Sequence, residues 1–307
     1  EDCSGILSQG GTILGTHNSA SPFNYKGVDV SDKVLDYYQS LELDGLVVIG
    51  GDGTLSIAYE MSKLGMNIVG IPKTIDNDLM GTDRTFGFDT AISIVTDALD
   101  RLRTTGQSHK RVMILETMGR YAGWIALHAG IAGGADVILI PEFDYDIDEV
   151  AKACQSRMGD QHYSIVVIAE GAKPIGGQLT VRETKDGGGD PIRLGGVANV
   201  LKLQLEQKIE AEIRATTLGY IQRGGSPTAF DRIFATSLGS YAASLVANKQ
   251  FGKVVVLQDG QLCSTSLKEV AHKSRIVTNE DSELASALSM GICFGNPDLS
   301  TKLHSLK

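Results

Sequence analysis

The stretch Val47–Asp78 holds two loops whose residue types suit phosphate chemistry. One apolar run ends in Gly50-Gly51-Asp52-Gly53-Thr54. A second, one amphipathic segment later, ends in Pro72-Lys73-Thr74-Ile75-Asp76-Asn77-Asp78. Neither ending suits a core, because glycine costs backbone entropy and paired carboxylates are costly to bury unless something charged meets them. Glycines at a helix N-terminus let backbone N–H groups approach phosphate oxygens, and the helix dipole favours the negative charge. Asp52 in that setting suits Mg2+, a hard cation that takes carboxylates and waters. In the second loop, an extended backbone puts Thr74, Asp76 and Asp78 on one side. One carboxylate can then take a hydroxyl proton while the other positions a sugar or a metal-bound water. Taken singly, the first loop is equally well explained by a tight strand-to-helix turn, and the second is better explained by an Asx-turn cluster.

Further loops shift that balance. Leu115–Gly123, LETMGRYAG, places Met118, Gly119 and Arg120 after a strand, and Val167–Gly171, VIAEG, places Glu170 after another. Arg214–Pro227, RATTLGYIQRGGSP, sets Arg214, Tyr220 and Arg223 around a strand end. Arginines suit phosphate by bidentate hydrogen bonding, and a carboxylate among them suits sugar hydroxyls. A single arginine is most often a surface ion pair, but several on one edge are not.

The elements that must position these loops follow from alternation. Short apolar runs at Gly45–Ile49, Ile68–Ile71, Val112–Leu115, Val137–Ile140, Ile165–Ala169 and Val254–Leu257 are separated mostly by amphipathic stretches. Asp89–Arg103 has helical periodicity, with Ala91, Ile92, Val95, Ala98, Leu99 and Leu102 on one face, Asp89 as N-cap and Gly106 as stop. Strands alternating with helices predict an α/β fold with a parallel sheet covered on both faces. In such a sheet the loops after strands emerge at one carboxyl edge, where ligands bind, and right-handed crossovers make consecutive loops neighbours. Residues 171–196, rich in glycine and charge, read as a surface excursion with a hairpin near Gln178–Arg182.

Composition is consistent with this. The chain has 307 residues, 36 of them glycine, with 6% aromatics, which favours many tight strand-to-helix turns. A net charge of -9 argues against a general nucleic-acid surface. No apolar run reaches membrane-spanning length. Cys3, Cys154, Cys263 and Cys293 form no C-x-x-C and read as free thiols in a reducing cytoplasm.

The strings GGDGT, PKTIDND, MGRYAG and LGYIQRGGSPTAFDR, in that order, closely resemble the 6-phosphofructokinase family, over Gly10 to about Phe294. GGDGT alone is shared with NAD kinases and diacylglycerol kinases; the other three together exclude them. The resemblance implies two Rossmann-like three-layer domains with mainly parallel sheets and an active site in the cleft between them. Residues 1–88 with 223–293 would form the ATP/Mg domain, 89–222 the fructose 6-phosphate domain, and 294–307 a tail. It implies ATP-dependent phosphorylation of the 1-hydroxyl of fructose 6-phosphate. Asp76 falls at the family's catalytic base, with Thr74 and Arg120 steadying the phosphoryl group. Asp52 and Asp78 match the Mg2+ carboxylates, and Gly51, Asp52, Gly53, Thr54 and Asn18 fall at the nucleotide. Thr74, Ile75, Asp76, Arg111, Met118, Gly119, Arg120, Glu170, Arg214, Tyr220 and Arg223 would meet the sugar phosphate. Arg111 and Arg214 would reach a neighbouring subunit's site, implying a homo-oligomer, a dimer or a tetramer. Such transfer depends on positioning and charge stabilisation more than on covalent chemistry.

Several positions depart from the family pattern. Tyr220 stands where histidine is frequent, Asn18 replaces an arginine that packs on the nucleotide in many bacterial members, and Gly159 and Gln161 occupy two basic effector positions. Control by phosphoenolpyruvate and ADP is therefore not carried over. Nothing matches the family's opening strand and its G-G-D-x-x-G-x-N turn, and Glu1 is no natural start. The strand Gly45–Ile49 is therefore expected to have a neighbour on one side only, beside a nucleotide site open on that side. Lys73 resembles a lysine of the pyrophosphate-dependent subfamily, whereas Gly53 is the ATP users' residue where pyrophosphate users carry aspartate. The alternatives to an ATP-dependent enzyme are thus a pyrophosphate-dependent one and a non-catalytic regulatory subunit.

Overall fold

The structure is a computed structural model that describes residues 4–17, 20–184 and 192–299. In chain order the elements begin with α1 (Ser31–Ser40), β1 (Leu46–Gly50), α2 (Asp52–Lys63), β2 (Ile68–Thr74), β3 (Phe86–Gly87) and α3 (Phe88–His109). There follow β4 (Arg111–Thr117), α4 (Trp124–Ala132), β5 (Val137–Leu139), α5 (Ile147–Gln161) and β6 (Ser164–Ala169). Next come β7 (Val181–Thr184), β8 (Ile192–Leu194), α6 (Val197–Glu206) and β9 (Glu212–Thr217). The run closes with α7 (Ala229–Ala247), β10 (Lys253–Gln258), β11 (Gln261–Ser266), α8 (Leu267–Val270) and α9 (Ser282–Ser289).

Two compact units result. The first comprises Glu1–Asp89, Thr184–Pro191 and Gly225–Arg275, and the second Thr90–Glu183, Ile192–Gly224 and Ile276–Lys307. The chain passes from one to the other within the first turn of α3. The stretch 276–293, expected with the donor domain, counts with the second unit: Ile138 N–H donates to Cys293 O and Cys293 N–H to Asp136 O.

The first unit is built on the sheet β1-β2-β10-β11, with β3 pairing to the end of β2. β1, β2 and β10 run parallel, and β11 returns antiparallel. Alternate residues feed opposite faces. Ile68, Val254 and Val256 pack with Leu55 and Met61 of α2 and Leu267, while Val69, Ile71 and Val255 pack with Phe234, Leu238 and Leu245 of α7. Among the described residues β1 pairs with β2 alone, as expected for Gly45–Ile49. Leu46, Val47 and Ile49 are 36 to 47% exposed.

The second unit carries the parallel sheet β5-β6-β4-β9. Val112, Ile114, Val166, Ile168 and Ile213 form one core with Val150 and Cys154 of α5 and Leu201 and Leu205 of α6. The excursion after β6 contains the two-stranded sheet of β7 and β8.

α3 corrects two expectations. Ala91, Val95 and Leu99 are fully buried, as its periodicity requires. However, Asp89 lies inside the first turn rather than capping it, and its Oδ2 accepts the Thr228 hydroxyl at 2.7 Å. Gly106 does not stop the helix. A Cβ there would meet Met113 Cγ at 2.8 Å, so the glycine lets α3 lie close to β4. The helix runs on to His109, and Lys110 turns the chain at φ 56°.

Candidate active site

β1 and β2 pair in register up to Gly50 opposite Pro72, so the loops that follow them are neighbours. Close approach makes Gly50 necessary, while a Cβ on Gly51 would make only ordinary contact. A Cβ on Gly50 would lie 2.4 Å from Thr54 Cβ, and one on Gly51 would lie 3.4 Å from Thr74 Cβ. Gly51 is the N-cap of α2, and Asp52, Gly53 and Thr54 form its first turn. The first-turn N–H groups of a helix are the kind that suit an anion. Ser56 Oγ donates to Asp52 Oδ1 at 3.2 Å and itself accepts His272 N–H at 2.9 Å.

The second loop is not extended throughout. Asn77 has φ 53°, a left-handed conformation, so Thr74, Asp76 and Asp78 do not follow simple strand alternation. Side chains hold the bend instead. Asp76 N–H donates to Thr74 Oγ1 at 3.2 Å, and the Thr74 hydroxyl lies 3.4 Å from Asp76 Oδ2. Asn77 Oδ1 accepts Thr85 N–H at 2.9 Å, while the Thr85 hydroxyl donates to Thr74 O at 2.7 Å. Arg275 N–H donates to Asp78 O at 2.7 Å, and Asp231 Oδ1 takes Gly87 N–H at 2.9 Å. Asp76 is 8% exposed and Asn77 3%, and Ile75 is half-buried beside them. Burial alone disfavours a carboxylate's charge, which makes Asp76 a candidate for a catalytic or cation-binding role.

Among the described residues no three His, Cys, Asp or Glu side chains cluster as a protein-only metal site. Two carboxylates on adjoining loops fit Mg2+, which keeps waters and takes its remaining ligands from phosphates. Asp52 and Asp78 are the residues that could supply that donor set.

In the second unit, Met118-Gly119-Arg120 follows β4, Glu170 follows β6, and Tyr220 and Arg223 lie in a short 3-10 turn, Gly219–Arg223, after β9. All emerge at the carboxyl edge of one parallel sheet. Arg120 N–H donates to Glu170 Oε1 at 3.0 Å. The Arg223 guanidinium sits 5.5 Å from the centre of the Tyr220 ring. Arg120 takes φ 52°, and Gly171 gives it room, since a Cβ there would lie 2.1 Å from Arg120 O.

Arg111 and Arg214 are elsewhere. Arg111 opens β4 opposite Glu212, and Arg214 pairs with Met113, so both lie toward the amino end of the sheet. The seven residues of β4 put that end roughly 20 Å from Met118. The reading that grouped Arg214 with Tyr220 and Arg223 at one strand end is corrected accordingly. Both arginines pair with Glu212, Arg111 at 2.6 Å, and these bonds, that from Arg111 foremost, hold the Glu212 carboxyl below its usual range. Asn18 lies outside the described residues. The sequence reading did not single out Ser56, Thr85, Asp231 or Gln222, or give Asn77 a role. Their only signal was a polar residue lying within or close to a motif.

The phosphofructokinase family model matches residues 1–246. The chain is 47% identical over 307 residues to ATP-dependent 6-phosphofructokinase 2 of Clostridium perfringens, covering 96% of this chain and 84% of the relative. It is 43% identical over 285 residues to the pyrophosphate–fructose 6-phosphate 1-phosphotransferase of Amycolatopsis methanolica, covering 93% and 83%. Among solved structures it resembles phosphofructokinase of Pichia pastoris in the T-state, with a TM-score of 0.75 and 27% identity, over 99% of this chain and 33% of that one. Sequence motifs, parallel sheets with functional loops at their carboxyl edges, and these likenesses agree: the chain belongs to the phosphofructokinase family.

Proposed function

We propose that the protein is an ATP-dependent 6-phosphofructokinase, converting fructose 6-phosphate and ATP to fructose 1,6-bisphosphate and ADP. One observation carries the reading: the buried Asp76, hydrogen-bonded through its own N–H to Thr74, sits on a braced loop adjoining the glycine turn Gly50–Thr54. Asp76 accepts the proton of the 1-hydroxyl as that oxygen attacks the terminal phosphorus. Thr74 and Arg120 steady the transferring group, and the N-terminus of α2, through Gly51, Gly53 and Thr54, receives donor phosphates. Asp52 and Asp78 would hold Mg2+, which would supply charge neutralisation for those phosphates. Met118, Gly119, Arg120, Glu170, Tyr220 and Arg223 bind the sugar phosphate.

Arg111 and Arg214, set side by side by Glu212 away from those loops, serve a neighbouring subunit in a homo-oligomer. Free Cys154, Cys263 and Cys293 suit a reducing cytoplasm. Among the described residues no helix is long and apolar enough to cross a membrane.

A second reading, pyrophosphate as donor, is favoured by the exposed Lys73 at the end of β2 and by the likeness to the Amycolatopsis methanolica enzyme. Gly53 favours ATP, because an aspartate at that position would repel a nucleotide phosphate. A coupled assay for fructose 1,6-bisphosphate with either donor tests both readings. Turnover with ATP and none with pyrophosphate is expected; the reverse result establishes the second reading, and turnover with neither rejects both.

A further inference from the structure

The carboxyl ends of β4 and β9 part after Glu116 pairs with Thr217, although Leu218 N–H still reaches Glu116 O at 3.2 Å. On the far side of β4, the ladder with β6 extends one residue further, through Glu170 N–H to Thr117 O at 2.8 Å. Where β9 turns away, a side chain takes over the role of its backbone. Gln222 Oε1 accepts Met118 N–H at 3.2 Å, and Gln222 Nε2 donates to Gly219 O at 3.2 Å. Gln222 is 1% exposed, whereas Ile221 and Arg223 on either side are exposed. A carboxamide carries the donor and acceptor of a peptide group, and buried ones are kept only where both ends are paired.

We propose that Gln222 is a positioning residue that fixes Met118-Gly119-Arg120 relative to the turn carrying Tyr220 and Arg223, and so sets affinity for the sugar phosphate. The inference rests on the functional reading above. Little slack separates the anchors: Met118 N–H is held by Gln222 and Arg120 N–H by Glu170 Oε1, with only Gly119 between them. Gly119 at φ 141° and Arg120 at φ 52° are conformations that few residues adopt without such bracing. The other end of the amide holds Gly219 O at the start of the turn in which Arg223 lies against Tyr220. Removing one side chain therefore loosens both loops together. Its chemistry is specific. Methionine matches the length and volume but pairs with neither group. Glutamate keeps an acceptor for Met118 N–H but sets a buried carboxylate against Gly219 O. Leaving a buried donor unpaired corresponds to roughly a tenfold to hundredfold loss when it is expressed in binding.

Steady-state kinetics of wild type, Gln222→Met and Gln222→Glu with ATP and fructose 6-phosphate test this. Both variants are expected to raise the KM for fructose 6-phosphate about tenfold or more while the KM for ATP stays within twofold. Calorimetric titration with ATP reports whether each variant is folded; if Gln222→Met is not, Gln222→Glu decides. An unchanged KM for fructose 6-phosphate, or an equal rise for both substrates, overturns the proposal. A wild-type chain that phosphorylates fructose 6-phosphate beside unaffected variants sinks this proposal alone. A wild-type chain that does not phosphorylate it sinks the functional reading and this proposal together.

Discussion

Asn77 Oδ1 accepts the backbone N–H of Thr85 at 2.9 Å, eight residues ahead, and this bond sets the bend between Asp76 and Asp78. The left-handed backbone at Asn77 is one that asparagine tolerates better than most residues. Both Asn77→Ala and Asn77→Gly leave Thr85 N–H buried and unpaired, at a cost of about 1–3 kcal/mol. Alanine adds the left-handed penalty of roughly 1 kcal/mol and glycine does not. Urea denaturation should therefore rank wild type above Asn77→Gly above Asn77→Ala, with turnover reduced in both variants. Full turnover in either would mean that the bend does not matter to catalysis.

Asp76→Asn keeps the shape of the side chain and removes its ability to take a proton. Turnover should fall roughly 10²–10⁴-fold while the KM for fructose 6-phosphate changes little. Near-normal turnover would remove Asp76 from the role of base.

At Gly53 a Cβ would meet nothing within 4 Å, so Gly53→Asp should fold normally, with an unchanged melting temperature. Its carboxylate would face donor phosphates, and kcat/KM for ATP should drop at least about tenfold from like-charge repulsion. Undiminished ATP use would show that the residue type at this position does not select the donor.

Glu142 is a carboxyl whose pKa burial raises. Its Oε1 accepts N–H groups from Gly123 and Val277, each at 2.9 Å, while Oε2 is buried without a hydrogen-bond partner among the described residues. Burial pushes its carboxyl pKa up and the charge of Asp281 adds to the rise, against the pull of those N–H groups. A raised carboxyl favours the protonated folded form. Its stabilisation is full below the unfolded pKa near ~4.3 and is lost as pH climbs through the folded value. Glu142→Gln does not titrate, so its stability relative to wild type should improve between pH 4 and 7. A difference that stays flat over that range would contradict the assignment.

All six apolar runs form strands; most were legible because strands buried on both faces read as unbroken apolar runs, and β1 shows the same run although it is half exposed at the sheet edge. Marginal strands read less clearly. β9, Glu-Ile-Arg-Ala-Thr-Thr, buries only Ile213 and showed in the sequence only as a strand end near Arg214, while β11, Gln-Leu-Cys-Ser-Thr-Ser, buries none of its residues and was not found; both lie at sheet edges. Gly106 misled because helix stop and close helix-strand packing call for the same residue. Candidate site residues were proposed from the sequence wherever chemistry shows in residue type, as at Asp52, Asp76 and Glu170. The residues that brace them were not, because the worth of Asn77 or Gln222 lies in a partner 8 or 104 positions away.

Arg120 holds a left-handed backbone with a large side chain, a conformation costing an arginine roughly 1–2 kcal/mol and a glycine almost nothing. With the role proposed for Arg120, stability and catalysis ask for different residues at one position. Laboratory evolution for heat resistance alone should enrich Arg120→Gly, yielding a tougher protein whose phosphoryl transfer is impaired. Selection that also demands turnover should instead retain the arginine and find its stabilising changes elsewhere in the chain.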